Sequence, residues 1–448
     1  MTPELDPLHV AIDGPAGSGK SSVAAAVAER LGLAHVDTGA MYRALTRAAL
    51  DEGIDPSDGE RLAARLEALG LRFESGRLLV DDADPGDALR TQEVDGLVSQ
   101  VSAHAAVREA MQRRQRQASW DHSQGVVMEG RDIGTHVLPL ARAKVYLDAA
   151  VEVRATRRAR QAGRPTEGMS FGNEVEELAR RDHLDSTREE SPLRIAPDAF
   201  VLATDDLGFE QVVDQVAAFA EAQRPQRVAK TELSAYRWRQ RSYWGSKNFL
   251  ETLLSIPYRM RVFGRAHQEI RQPLVFACNH CSYWDPVLLG TKIDRQVSFI
   301  AKRELFKGPL GWLLRFYGTI PIVRGRFDRE AFATAGRVLA DGGNVVIFPE
   351  GTRKPVGKPG PVKRGLGILV MATDAPYLPC FVRGTTRSGH ALRGVGDAME
   401  LWLGPPTVLR GLDALRRQGF DDSALQARIG ELYLAQIRAL SHRAEHFG

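Results

Sequence analysis

The residues at positions 14–21 constrain this chain more than any other part of its sequence. They read GPAGSGKS and fit the pattern G-x-x-x-x-G-K-S, in which a glycine-rich loop turns its backbone N–H groups toward phosphate oxygens. The apolar residues 8–12 predict a buried strand before this loop, and residues 21–31 predict a helix after it. The loop would therefore cap a helix N-terminus, where anions are favoured. The sequence predicts a nucleotide phosphate site in the first half of the chain.

The loop and its flank have defined parts in holding a nucleoside triphosphate. Lys20 would place its charge at the β- and γ-phosphates, and the hydroxyl of Ser21 suits Mg²⁺. The residues predicted to bind the triphosphate are Gly14, Pro15, Ala16, Gly17, Ser18, Gly19, Lys20, Ser21 and Ser22.

The length of 448 residues exceeds what one hydrophobic core ordinarily holds, so we expect more than one domain. Strand and helix patterns alternate as far as residue 222, which is typical of a parallel sheet with helices on both faces. The further strands are predicted at 34–37, 126–129, 144–148 and 200–204, with helices between them that include 151–161 and 209–222. Short strands near residues 71–73 and 77–80 suggest a small inserted lobe. A second α/β pattern begins after Gln272, with strands predicted at 274–278, 296–301, 320–323, 344–348 and 378–382. We predict an α/β domain over residues 1–224, a basic and aromatic linker over 225–244, and a second α/β domain over 245–448.

Composition excludes several classes of protein. No run of about 18 apolar residues occurs, so we expect no membrane-spanning helix. The acidic start of the chain lacks the apolar core of a signal peptide. Three cysteines argue against a disulfide framework and favour the reducing cytoplasm. A net charge of only +4 gives little support to a nucleic acid as a partner.

Basic and aromatic residues are concentrated between Pro225 and Arg271, a segment that contains ten basic residues and three acidic ones. Two interpretations of this segment remain open. It suits a helix that lies on the anionic inner face of the cell membrane, with Trp and Tyr at headgroup level. It also suits a linker followed by a helix that packs into a core. The residues on which both depend are Tyr236, Trp238, Tyr243, Trp244, Phe249, Leu250, Leu253, Ile256 and Met260.

Three motifs downstream of the phosphate loop narrow the first domain. They read DTGAMYR at 37–43, EGRDIGT at 129–135 and RRDHLDS at 180–186. Together with the loop, and in this order, they resemble the bacterial cytidylate kinases over residues 1 to about 222. The resemblance implies the fold of a P-loop nucleoside monophosphate kinase, which uses ATP with Mg²⁺ to phosphorylate CMP and dCMP.

The resemblance also implies which residues hold the acceptor nucleotide: Thr38, Tyr42, Arg43, Arg108, Arg131, Asp132, Arg181 and Asp185. The arginines would grip its phosphate, and the two carboxylates would accept from its amino group or sugar hydroxyls. Arg154 and Arg158 lie on the helix where this class of kinase has its lid, so they join Lys20 as expected catalytic residues. A solvated basic helix face is the alternative for the two lid arginines.

The second domain carries His280 and, after a gap of four residues, Asp285. KREL at 302–305, GTIPIVR at 318–324, FPEGTR at 348–353 and YLP at 377–379 follow in order. These blocks resemble the glycerolipid acyltransferases, especially the 1-acyl-sn-glycerol-3-phosphate acyltransferases, over residues 245 to about 410. The resemblance implies that His280 is the general base, oriented by Asp285, and that the acyl donor is acyl-CoA or acyl-ACP. It places the acyl acceptor, lysophosphatidate, at Lys302, Arg324, Glu350, Gly351 and Arg353.

Several alternatives stay open at the level of sequence. The second domain could acylate another lysophospholipid or could only tether a kinase to a membrane, and the first domain could be a nucleotide sensor. For residues 306–317 we favour a place in the core over a second membrane-facing surface. Residues 415–448 have a largely helical pattern and could either serve a partner or pack on the second sheet.

Overall fold

The computed structural model describes residues 7–74, 76–161, 163–224, 241–255, 259–323, 328–356, 359–387 and 398–447. The chain divides into two compact units, one over Pro7–Arg224 and the other from Pro225 onward. The predicted linker falls almost entirely on residues 225–240, which lie outside the described residues, as do Ile256 and Arg324.

The first unit is built on a five-stranded parallel sheet with the strand order β2-β5-β1-β6-β7. Its strands are β1 (Val10–Asp13), β2 (Ala34–Asp37), β5 (Val126–Gly130), β6 (Ala143–Asp148) and β7 (Phe200–Ala203), and the separate hairpin of the inserted lobe is β3 (Leu71–Glu74) with β4 (Arg77–Val80). Sequence patterns predicted every one of these strands to within two residues at each end. The expected parallel α/β fold is confirmed.

Helices cover both faces of this sheet, because successive residues of the central strand β1 point to opposite faces and Val10, Ala11 and Ile12 are all apolar. Val10 and Ile12 of β1 pack with the first and last helices of the unit, whereas Ala11 packs on the opposite face. The helices are α1 (Lys20–Leu31), α2 (Thr38–Asp51), α3 (Gly59–Ala68), α4 (Gln92–Val101), α5 (Ala105–Trp120), α6 (Val151–Gln161), α7 (Met169–Thr187) and α8 (Phe209–Ala222).

The second unit contains a seven-stranded sheet with the order β11-β10-β12-β9-β13-β14-β8. Five neighbouring strands are parallel, β14 is antiparallel to β13, and β8 is parallel to β14. The strands are β8 (Met260–Phe263), β9 (Val275–Cys278), β10 (Val297–Lys302), β11 (Ile320–Ile322), β12 (Asn344–Ile347), β13 (Tyr377–Arg383) and β14 (Met399–Leu403). The sequence patterns did not reveal β8 and β14. The helical spacing that was extended to Met260 is therefore wrong, because Met260 begins a strand.

The helices of the second unit include one at the position of the basic and aromatic segment. They are α9 (Arg241–Ser255), α10 (Asp285–Lys292), α11 (Gly308–Phe316), α12 (Arg329–Ala340), α13 (Gly365–Thr373), α14 (Leu412–Arg417) and α15 (Asp422–Phe447). Glu251 of α9 accepts a hydrogen bond from Lys292 of α10 at 3.0 Å, which fixes one side of α9 to the unit. Its other side exposes Phe249 and Leu253. Both interpretations of this helix thus have a structural counterpart, a packed side and an exposed apolar side.

Two further expectations meet different outcomes. The C-terminal helix packs on the sheet, which is one of the two possibilities that the sequence left open, and the hydroxyl of Tyr377 in β13 donates to Oε1 of Gln436 at 2.8 Å. The preference for a core position at residues 306–317 is wrong, because Trp312 and its apolar neighbours on α11 are exposed. Within the described part of the chain, no helix combines the length and apolarity that spanning a bilayer requires.

Candidate active sites

The phosphate loop connects β1 to α1 and depends on its glycines. Gly14, Gly17 and Gly19 all have positive φ, and a Cβ on Gly14 would stand 2.3 Å from the carbonyl oxygen of Leu147. The Nζ atom of Lys20 donates to the carbonyl oxygen of Pro15 within the loop at 2.7 Å. Burial, and then the charge of Arg131, hold the pKa of Lys20 well below its usual range. A bound polyphosphate would reverse this effect by supplying the negative charge that the ammonium group needs.

Arg154 and Asp182 brace the phosphate loop from the lid helices. Arg154 donates to the carbonyl oxygen of Ala16 at 2.7 Å and forms an ion pair with Asp182 at 2.6 Å. Asp182 in turn accepts the backbone N–H of Ala16 at 3.0 Å. Arg154 is buried, so the structure shows it as a clamp on the loop, whereas its expected role was that of a lid arginine facing the transferred phosphoryl group. Arg158 is more exposed and pairs with Glu174 at 3.0 Å.

A cavity of about 790 Å³ is lined by residues of the phosphate loop and by all eight residues expected at the acceptor nucleotide. The predicted residues that line it are Ala16, Gly17, Gly19, Lys20, Ser21, Ser22, Thr38, Tyr42, Arg43, Arg108, Arg131, Asp132, Arg158, Arg181 and Asp185. The predicted residues outside its lining are Gly14, Pro15, Ser18 and Arg154. One cavity thus contains the elements for two anionic ligands.

A network of arginines and aspartates forms the end of the cavity away from the loop. Arg108 pairs with Asp132 at 2.9 Å, and Arg131 pairs with Asp185 at 2.8 Å. Burial raises the pKa of both aspartates, but the neighbouring arginines more than offset it, so the net shift is downward and both stay ionised. Arg188 reaches both carboxylates, at 3.8 Å and 3.5 Å, and lines the cavity although it was not among the predicted site residues. Its position three residues after Asp185 was the available signal.

Smaller contacts fix the rest of this pocket. The hydroxyl of Thr38 donates to the carbonyl oxygen of Glu129 at 2.6 Å. The guanidinium carbon of Arg108 lies 5.9 Å from the centre of the Tyr42 ring, and burial raises the pKa of Tyr42 to about 12. Arg43 lies 3.5 Å from Asp95 of α4.

Asp13, which ends β1, joins the phosphate loop to the acceptor end of the cavity. Its two carboxylate oxygens accept the backbone N–H groups of Ile133 and Gly134, at 2.8 Å and 2.7 Å. Those residues follow directly after Arg131 and Asp132, so Asp13 fixes the turn that carries them. Burial raises the pKa of Asp13 to about 6, although the two backbone donors lower it. Sequence analysis had given this residue no role.

The carboxylate of Glu129 provides a further oxygen ligand beside the phosphate loop. Burial and the charge of Asp37 raise the pKa of Glu129 to about 7, whereas Lys20 and the Ser21 hydroxyl lower it. Its Oε1 atom is buried with no hydrogen-bond partner among the described residues. That same part of the chain contains no group of three or more His, Cys, Asp or Glu side chains that could hold a metal ion alone. Mg²⁺ needs only one or two protein oxygens when a phosphate supplies the others, so Ser21 with Glu129 and Asp37 fits it.

In the second unit, the half-buried His280 and the buried Asp285 form a pair at the carboxyl end of β9. His280 Nδ1 lies 2.8 Å from Asp285 Oδ2, which also accepts the backbone N–H groups of Cys281 and Ser282 at 2.7 and 2.8 Å. Asp285 Oδ1 accepts the hydroxyl of Thr385 at 2.7 Å. The aspartate is fully buried, so these four donors replace its lost hydration. The arrangement holds the proton on Nδ1 and leaves Nε2 to act as a base.

Glu350 fixes the backbone of the loop that carries His280. It accepts the backbone N–H groups of His280 at 3.3 Å and Gly360 at 3.0 Å, and burial raises its pKa. The ring of Phe348 stacks on the His280 ring with centroids 4.3 Å apart. Gly351 has a φ of +66°, and a Cβ there would meet the side chain of Lys363. Glu350 and Gly351 therefore shape the site through the backbone.

Arg353 is the exposed cation beside this pair. Its guanidinium lies 3.6 Å from the ring centre of Tyr283 and donates to the Tyr283 hydroxyl at 2.9 Å. Lys302 is exposed at the carboxyl end of β10, the same edge of the sheet that carries His280. Burial raises the pKa of Cys281 to about 12, so this thiol is not a thiolate nucleophile. Thr385 was missed by sequence analysis because it lies 100 positions beyond the aspartate it contacts.

Comparisons with known proteins agree with this division into two sites. A cytidylate kinase family model matches residues 10–222, and an acyltransferase family model matches residues 259–383. The cytidylate kinase of Bacillus subtilis (strain 168) is 44% identical over 218 residues, which make up 48% of this chain and 96% of that protein. The cytidylate kinase of Shouchella clausii (strain KSM-K16) is 47% identical over 212 residues, 46% of this chain and 93% of that protein.

A cytidylate kinase joined to another enzyme has a precedent in the bifunctional pantoate ligase/cytidylate kinase of Parasynechococcus marenigrum (strain WH8102). It is 45% identical over 231 residues, which cover 50% of this chain and 45% of that protein. The crystal structure of the 1-acyl-sn-glycerophosphate acyltransferase PlsC from Thermotoga maritima aligns with 48% of this chain and 88% of its own, at 20% identity and a TM-score of 0.34. The acyltransferase assignment rests on the family model. Through residues 10–222 the chain belongs to the cytidylate kinase family, and through residues 259–383 it carries a domain of the acyltransferase family.

Proposed function

We propose that the first unit transfers the γ-phosphoryl group of ATP to CMP and dCMP. The observation that carries this proposal is the single cavity in which the phosphate loop and the arginine–aspartate network meet. Phosphoryl transfer requires two polyanions to be held in line while positive charge neutralises them. Arg131, Arg181 and Arg188 line the acceptor end, and Lys20 lines the donor end.

Within this cavity the acidic and the basic residues would have different roles. Asp132 and Asp185 stay ionised beside their arginines and can accept from the cytosine amino group or the sugar hydroxyls. Ser21 and Glu129 would hold Mg²⁺, which neutralises charge on the transferred group when ATP is bound. Arg158 of the lid is placed to approach the phosphates, whereas Arg154 keeps the loop in shape.

For the second unit, we propose acyl transfer from acyl-CoA or acyl-ACP to 1-acyl-sn-glycerol-3-phosphate, which yields phosphatidate. The supporting observation is the His280–Asp285 pair with its complete set of donors. His280 Nε2 takes the proton of the acceptor hydroxyl as its oxygen attacks the thioester carbonyl. The ester C–O bond forms, the C–S bond breaks, and the histidine returns the proton to the thiol that leaves.

The acceptor phosphate requires cations near His280. Lys302 and Arg353 are exposed at the carboxyl edge of the sheet, and Arg324 completes the predicted set on sequence grounds. A second lysophospholipid as acceptor remains the alternative, since these cations recognise a phosphate and not the rest of the headgroup. Because its substrate is a lipid, the chain would work at the surface of the cell membrane, on the inner face.

The His280–Asp285 geometry argues against a domain that only tethers the kinase. A tether needs only an exposed surface. In this unit a fully buried carboxylate, held by four hydrogen bonds, orients one imidazole. Burial of that kind is unfavourable without a use for the group it orients. A nucleotide sensor is similarly disfavoured for the first unit, because a sensor needs one nucleotide site and this cavity has the elements of two.

One experiment tests the acyltransferase half with the kinase half as its internal control. The full chain is incubated with vesicles that contain 1-acyl-glycerol-3-phosphate and with each thioester donor, and phosphatidate is quantified. We expect product with the wild type and its loss in His280→Ala, while both proteins phosphorylate CMP at the same rate. No product with any donor, from protein that still phosphorylates CMP, would refute this acceptor. CMP-dependent ATP turnover that is absent from the start would refute the kinase half.

A further inference from the structure

The helix α11 presents an apolar surface to solvent beside the candidate acyltransferase site. We call it the α11 surface, and it consists of Leu305, Leu310, Trp312, Leu313 and Phe316. Trp312 is 66% exposed and Leu310 is 50% exposed. Four of these five large apolar side chains lie on one helix of nine residues. Clustered exposure of this kind marks a surface that another phase or molecule covers.

Basic side chains surround the α11 surface. Lys302, Arg303, Lys307 and Arg315 are all exposed, and Glu304 is the one acidic residue between positions 302 and 317. Arg303 lies 3.7 Å from Glu330, so part of its charge is balanced. The remaining cations give the rim a net positive charge.

The position of α11 relates this surface to the active site. The helix follows β10, whose carboxyl end lies at the same edge of the parallel sheet as the ends of β9 and β12. Those two strands lead directly to His280 and Glu350. At the C-terminal end of α11, the ring of Tyr317 packs edge-on against Tyr243 of α9 with centroids 5.6 Å apart. Helix α9 has its own exposed apolar side chains, Phe249 and Leu253.

We propose that the α11 surface docks the acyltransferase unit on an anionic lipid bilayer, with Trp312 inserted at headgroup level. This inference deepens the proposed function, since it rests on an acyl acceptor that resides in a membrane. A bilayer fits better than a second copy of the chain, because two identical basic rims would repel each other, whereas anionic headgroups attract them. Trp and Phe ringed by Lys and Arg is the composition of interfacial helices.

Vesicle binding by the full chain tests the proposal. Sedimentation with vesicles of phosphatidylcholine plus phosphatidylglycerol should show that Trp312→Glu weakens the partition coefficient roughly tenfold or more. The matched control is Phe447→Glu, which makes the same kind of change at an exposed aromatic residue of α15 and should bind as the wild type does. Lys307→Glu should weaken binding to these vesicles and not to vesicles of phosphatidylcholine alone.

The outcomes separate this proposal from the proposed function. Wild-type binding by Trp312→Glu, or equal losses in Trp312→Glu and Phe447→Glu, would overturn the α11 surface even if phosphatidate is formed. A solution dimer that Trp312→Glu converts to a monomer would overturn it in favour of a second copy. Trp312-dependent vesicle binding without acyl transfer to lysophosphatidate would support the surface and refute the acceptor. Unchanged thermal unfolding of Trp312→Glu shows that the variant is folded.

Discussion

Replacing Asp285 with asparagine tests how the structure orients the imidazole of His280, the proposed general base. In the native protein Oδ2 accepts from His280 Nδ1 and from two consecutive backbone N–H groups, and Oδ1 accepts from Thr385. An asparagine must turn its oxygen toward the two backbone donors, since its NH₂ group would otherwise face them. The NH₂ group then points at the Thr385 hydroxyl, which can accept. Asp285→Asn should therefore keep the oxygen on Nδ1 and the correct tautomer.

The magnitude follows from what is lost. A hydrogen bond to a charged group contributes about 1.5–3 kcal/mol and a neutral one about 1 kcal/mol. The imidazolium formed during acyl transfer thus loses about 0.5–2 kcal/mol of stabilisation, which corresponds to a decrease in kcat of roughly 2- to 30-fold. An inverted tautomer would instead remove the base and cost about 10⁴-fold. The decreases in kcat expected for the correct and the inverted tautomer therefore differ by more than two orders of magnitude.

The assay is phosphatidate formation at saturating donor, with CMP phosphorylation as the measure of intact protein. Thr385→Val alone should cost only a few-fold, since it removes one neutral donor from a carboxylate. In the Asp285→Asn background the two backbone donors still hold the asparagine oxygen, so Thr385→Val should lower kcat by no more than the product of the two single effects. A loss in Asp285→Asn as large as that in His280→Ala, or a double variant that falls far below that product, would refute the argument from backbone donors.

Three other predictions concern the kinase unit. Burial raises the pKa of Glu129 from 4.5 to about 7, so the stability contributed by its protonated form is present below pH 4.5 and is lost as the pH rises through 7. Glu129→Gln should therefore stabilise the nucleotide-free unit at pH 8 by up to about 3 kcal/mol, with no gain at pH 4, and should reduce kinase turnover. Calorimetry of the unfolding transition that responds to CMP checks the stability, and kinase assays check the turnover. Arg154→Lys should raise the KM for ATP and lower the melting temperature, whereas Arg158→Ala should lower kcat and leave melting unchanged; equal melting of both variants would contradict the clamp. Gly14→Ala should abolish kinase activity, because the Cβ of the alanine would collide with the carbonyl oxygen of Leu147. Normal activity of this variant would disprove the clash.

The sequence was most informative where local pattern and local structure coincide. The helices at Val151–Gln161 and Phe209–Ala222 begin and end where the pattern placed them, and β2 also matches to the residue. Period and capping act over a few residues, so a single sequence contains them. The motifs likewise placed Lys20, Arg131 and His280 at the carboxyl ends of strands, which is where parallel sheets gather functional groups.

Long-range relations could not be read in this way. Strands β8 and β14 pair with each other across about 140 positions, and neither has a strong alternating pattern. The lid position of Arg154 was inferred from its helix, but its burial against Ala16 depends on how that helix packs on the loop. The apolar pattern of α11 is the same for a core helix and for one that meets a membrane, so only the packed structure distinguishes them.

The two candidate sites share one way of positioning their residues. Asp13 in the first unit and Asp285 in the second each bury a carboxylate that accepts two consecutive backbone N–H groups, at residues 133–134 and 281–282. A carboxylate held in this manner fixes a turn through its backbone, since the paired donors offset part of the cost of burying the charge. The candidate site residue next to each turn also has a carboxylate partner, because Arg131 pairs with Asp185 and His280 donates to Asp285 itself. The backbone and the side chain of each candidate site residue are thus both held in place before a ligand binds.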